Sequence, residues 1–262
     1  MFRRIPAALA VALLAAPAWS QFSPQEVKAA QKDPGAFTID EGTIKIEKIG
    51  PTVKPADIRP PDNNGGGIGS TIPVLDQIIN LGLKVWKIIA DNHPVVDVHT
   101  QYATALPKGA TGWADMGGWK PPVGTIYSLT AENVYGVKVI NVRYQVLRTY
   151  GGSYQGKGQY LTAVTVEPLL VETAWGYHFS MSASVPDTSI VNVGTSADPV
   201  AGMMADLSWH ISTALKDSQG QGLYFLQGDG AFKEVGGPFS SQALDKAKAR
   251  VAALPKAPRF DE

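Results

Sequence analysis

The chain of 262 residues contains no cysteine. No disulfide can staple it, so its core alone must hold it together, and no lipid anchor can be attached through a thiol. Excess charge is missing too: 23 Lys and Arg balance 23 Asp and Glu. Without a basic surplus to neutralise phosphates, nucleic acid is not an expected partner. The sequence also lacks an Asn-x-Ser/Thr acceptor, a Gly-x-Ser-x-Gly elbow, a P-loop and a His-Glu-x-x-His pair. Gly65-Gly66-Gly67-Ile68-Gly69 has neither the preceding strand nor the spacing of a dinucleotide site. No catalytic residue, metal or cofactor is assigned on these grounds.

Residues 1–20 read as a secretory signal. Arg3 and Arg4 precede the apolar run Ala7–Ala16, which is too short to span a bilayer, and Ala18-Trp19-Ser20 supplies the small residues of a cleavage site. Removing this segment leaves 21 basic against 23 acidic residues, a net charge of −2. Export without cysteine or a glycosylation acceptor fits a periplasmic or secreted protein of a Gram-negative bacterium.

Residues 21–69 are rich in Pro, Lys, Asp and Glu, which predicts an extended, poorly packed segment. Within it Ser23-Pro24-Gln25-Glu26 has the composition of a helix start, and Thr43–Ile49 alternates as an edge strand would. Arg59–Gly67, with Pro first and Gly after, reads as a linker.

Residues 70–238 form the expected folded domain. Thr71–Asp91 shows helical spacing, with Leu75, Ile78, Ile79, Val85, Trp86 and Ile89 on one face and Asp76, Asn80, Lys84 and Lys87 on the other. From Pro94 onward the period is two. Val171–Val185 and Met203–Leu215 alternate most clearly, placing Trp175, Tyr177, Phe179, Leu207, Trp209 and Ile211 in a core. A phase change near Val139–Ile140 predicts a β-bulge. Asp217–Gly222 reads as a turn, and Ser240–Leu254, in the tail 239–262, as a C-terminal helix. The expected fold is mainly β. It is an antiparallel β-sandwich or flattened barrel of roughly eight strands, preceded by one amphipathic helix and closed by another.

The candidate functional residues lie on three features. Antiparallel pairing with Val185 opposite Met203 would place His178 opposite His210 and Ser182 opposite Asp206 on one wet face. That face would suit a polar ligand; the bland alternative is a solvated sheet surface, and two histidines are too few for zinc. Trp113 and Trp119, between glycines, would either stack on a ligand or plug one end of the fold. Leu75, Ile79 and Trp86 would dock the helix on the sheets or bury it in a membrane.

Val74-Leu75-Asp76-Gln77-Ile78-Ile79 with Gly82, in a flexible-segment, helix, β-sandwich order, resembles the N-terminal helix and organisation of actinoporin-type pore-forming proteins. That resemblance implies membrane activity through the Thr71–Asp91 helix. The leading expectation is instead a non-enzymatic exported binding or interaction protein, with a glycan, lipid or protein as partner. A hydrolase comes third, without an identifiable site.

Overall fold

The computed structural model describes residues 22–51, 78–95, 101–110 and 115–238. The proposed signal segment, the Arg59–Gly67 linker, Leu75, Trp113 and the C-terminal helix lie outside these residues. One short helix, α1 (Pro24–Lys32), opens the described chain. It begins where the Ser-Pro-Gln-Glu run predicts a helix start, and Ser23 and Glu26 go further and form a reciprocal capping box. Thirteen strands follow among the described residues: β1 (Ile39–Pro51), β2 (Ile78–Ile79), β3 (Val85–Ala90), β4 (His93–Pro94), β5 (Ala103–Pro107), β6 (Val123–Asn133), β7 (Lys138–Tyr154), β8 (Lys157–Thr173), β9 (His178–Ser184), β10 (Val191–Asn192), β11 (Ala201–Ser212), β12 (Asp217–Gln227) and β13 (Phe232–Gly236).

They form two antiparallel sheets, and the barrel is not closed. The first has six strands in the order β1-β6-β7-β8-β5-β2. The second has seven, in the order β13-β12-β11-β9-β3-β4, with β10 beside β11. The expected edge strand Thr43–Ile49 is part of β1, at the margin of the first sheet. The bulge falls where the phase change puts it: Val139 has no partner between Lys138, opposite Glu132, and Ile140, opposite Ala131.

Side-chain parity builds the core. Tyr127, Leu129 and Ala131 on β6, with Ile140, Val142, Tyr144 and Val146 on β7, are wholly buried. So are Phe179 on β9, Met203 and Ile211 on β11, and Tyr224 and Leu226 on β12. The two sheets meet through tyrosines. The Tyr144 and Tyr224 hydroxyls hydrogen bond at 2.6 Å, and the Tyr127 ring packs on both. Burial pushes the Tyr144 and Tyr224 phenols well up, so both stay neutral.

The Thr71–Asp91 helix is overturned over its described part. Residues 78–79 and 85–90 are strands, and Trp86, 5% exposed, faces the core rather than a membrane. The apolar spacing that mimics a helix comes from Trp86 and Ile89 facing inward around a bulge at Ile88. Asp91 and Asn92 both adopt positive φ (45° and 66°), the geometry of a two-residue hairpin, so Asn92-His93-Pro94 turns a strand instead of ending a helix. Among the described residues no helix is long and apolar enough to cross a membrane.

Three smaller corrections follow from turns. Gly176 (φ 81°) breaks the run Val171–Val185 and turns Trp175 outward, to 59% exposed. Leu215 lies in the β11–β12 turn and is 44% exposed. Asp217–Gly222 is not a turn but the first half of β12.

Two stability outcomes are expected. Trp86→Ala should cost about 3–5 kcal/mol in urea unfolding, as for any large aromatic removed from a core. Tyr144→Phe and Tyr224→Phe should each cost about 1 kcal/mol, and the double variant clearly less than their sum, because both singles remove one shared hydrogen bond.

Candidate functional site

The outer face of the seven-stranded sheet carries a half-open trough of about 470 Å³. Its origin is the alternation of β9 and β11. With the bulky odd-numbered residues committed to the core, the even-numbered side chains face out, and most are serines. Two cross-strand rows define it. Ser180 on β9 stands opposite His210 on β11, which stands opposite Gln219 on β12. One step along, Lys87 on β3 is paired with Ser182, and Ser182 with Ser208. Serine side chains are short and their neighbours long. The trough is lined by Ser180, Ser182 and Ser208 with Ile89, Ala90, Met181 and Trp209, and by the longer His210, Gln219, Lys87 and Asp91; by the strand order the short serines make the floor, with His210 and Gln219 to one side and Lys87 and Asp91 to the other. With strands about 4.8 Å apart, the two spacings from β3 to β11 put the strands of Lys87 and His210 roughly 10 Å from each other.

The floor offers hydroxyls that both donate and accept. His210 Nε2 lies 3.7 Å from Asp217 Oδ1, an ion-pair distance for a protonated ring but too long for a hydrogen bond. Asp206 shares the outer face just beyond Ser208, whose hydroxyl donates to Asp206 Oδ1 at 3.4 Å. Burial pushes the Asp206 carboxyl up, and the Ser208 hydroxyl partly opposes that.

The expected pairing of His178 with His210 does not occur. The register is displaced by two residues, so His178 stands opposite Ser212 and Asp206 opposite Ser184. A shift of two leaves every side chain on its predicted face, which is why the alternation could not reveal it. His178 instead joins three distant elements. Its Nδ1 meets Asp91 Oδ1 at 2.5 Å, its Nε2 lies 3.4 Å from Glu26 Oε1, and the Phe22 ring stands edge-on at 5.0 Å. A neutral imidazole has one N–H and can donate to only one of these carboxylates; the imidazolium serves both. The site ties α1 to the β3–β4 hairpin. Among the described residues no group of three or more His, Cys, Asp or Glu could hold a metal ion.

The remaining candidates lie elsewhere. Trp119 is half-buried, its ring laid on Gly152, where an added Cβ would come within 2.4 Å. It packs on β7 of the six-stranded sheet, whereas the trough lies on the other sheet. Ile79 is half-buried in β2 opposite Leu106. Lys87 and Gln219, which complete the trough, were hidden in the segments read as helix and turn.

No family model matches the chain, and no curated protein or solved structure is significantly similar to it. The class defined is therefore structural: a mainly β protein of two antiparallel sheets with a serine-floored trough on one outer face.

The His178 junction has a pH signature. Burial pushes the Glu26 carboxyl up, but hydrogen bonds from Ser23 and His178 outweigh it and leave the group below its ordinary value. A depressed carboxylate stabilises the fold above its ordinary pKa, and that contribution is lost as the pH falls through the depressed one. Thermal melts should show the wild type above Glu26→Gln at pH 7, with the gap closing on acidification below about pH 4.

Proposed function

We propose that this is an exported, non-enzymatic β-sandwich protein that binds a polar, hydroxyl-bearing ligand in the trough of its seven-stranded sheet. The observation that carries the reading is the hydroxyl floor itself. Ser180, Ser182 and Ser208 lie side by side on three-strand rows between taller walls, concave and open to solvent. A hydroxyl floor of this kind matches the donors and acceptors of a carbohydrate, and its small side chains leave room for a ring to approach the sheet. The signal-like residues 1–20 and the lack of cysteine support a place in the periplasm or outside the cell.

The test is capture on printed glycan and lipid arrays by the chain beginning at Gln21. The reading expects glycan capture by the wild type and its loss in Ser182→Leu, which fills the floor from an exposed face and leaves the melting temperature within about 2 °C. Capture that survives Ser182→Leu, or capture of lipids alone, would overturn it.

A further inference from the structure

We infer that the trough selects acidic over neutral carbohydrate, with Lys87 as the residue that reads the charge; this rests on the binding reading above. Lys87 is exposed on the wall of the trough and stands opposite Ser182. Three surface lysines have carboxylate partners, Lys45 with Glu47, Lys84 with Asp187 and Lys216 with Glu41; Lys87 is among those that do not, and it is the one that lines the trough. Among the described residues no carboxylate lies within ion-pair distance of Lys87. The acid nearest in the same wall, Asp91, is committed to His178 Nδ1. The second cationic group of the site, His210 when protonated, has only the 3.7 Å contact with Asp217. The trough therefore presents hydroxyls for a sugar together with one uncompensated ammonium.

That arrangement discriminates in both directions. A sugar ring seated on the serines would cover Lys87 and strip water from its charge. A neutral ring returns only a hydrogen bond to an uncharged oxygen, whereas a ring carboxylate replaces the water with a charge-assisted hydrogen bond of about twice the strength. Selectivity then comes as much from the penalty on the neutral ligand as from attraction to the acidic one. The ligand class is a uronate-type saccharide, with its carboxylate toward Lys87 and its hydroxyls toward Ser180, Ser182 and Ser208.

The experiment is calorimetric titration of the chain from Gln21 with tetragalacturonate, tetramannuronate and a hyaluronan tetrasaccharide, each as the free acid and as its methyl ester. The inference expects at least one acid to bind about tenfold or more tighter than its ester, with affinity that falls as salt rises. Lys87→Gln should erase that difference from both sides, weakening the acid and tightening the ester, and Lys87→Arg should restore it. Equal binding of acid and ester, or an acid preference that survives Lys87→Gln, overturns the charge selectivity and leaves the polar-ligand reading standing. Silence across the panel while arrays capture neutral glycans does the same. Silence on both panel and arrays overturns both.

Discussion

A period of two imposes a division of labour on every strand, and the seven-stranded sheet depends on it most. Phe179, Met181 and Ala183 on β9 face the same side as Ala205, Leu207, Trp209 and Ile211 on β11, and all of them are buried. The next residue along each strand must then point the other way. Because the inner positions take the bulk, the outer ones are free to be small, and Ser180, Ser182, Ser184 and Ser208 occupy them. The trough is a by-product of that parity: long side chains on the flanking positions rise around a short-chained centre.

The first sheet supplies the opposing half of the core, and tyrosines set how the halves meet. Tyr127 and Tyr144 from one sheet and Tyr224 from the other bring rings and hydroxyls together in one cluster. Phenols bring large apolar area and one polar atom that needs a partner, so they fix orientation as well as separation. Arg148 extends the cluster toward the β12–β13 end, with its guanidinium 4.3 Å from the Phe232 ring centre and one nitrogen donating to Thr125.

How much of this was legible in the sequence depended on which residues carried the signal. Parity in β9 and β11, the β7 bulge and the start of α1 at Ser23 are local, and each was readable. Register is not local, since a displacement of two residues preserves every face, and so the partners of His178 were out of reach. The segment of β3 failed for a different reason. A bulge at Ile88 puts Trp86 and Ile89 on one side, which imitates a helical interval, and β-branched composition was the contrary cue. The first half of β12 failed because Gly220 and Gly222 read as turn residues. Gly220 is there because the Trp209 ring lies across it, with a hypothetical Cβ 2.4 Å from that ring. Two walls of the trough come from those two segments, so only its floor and His210 could be seen in advance.

The strand order also has a kinetic side. The hairpins β6–β7, β7–β8 and β11–β12 join neighbours in sequence, and each closes only a short turn. The pairing of β3 with β9 joins Trp86 to Ala183, and that of β1 with β6 joins Ile39 to Asn133. Closing loops of that length carries the larger entropic cost before any contact rewards it. Both pairings carry that cost, and one of them, β3 on β9, is the contact that brings Lys87 to the wall and Asp91 to His178. Without β3, β9 would be a sheet margin with unpaired backbone groups, so this one long-range pairing both seals the sheet and completes the trough.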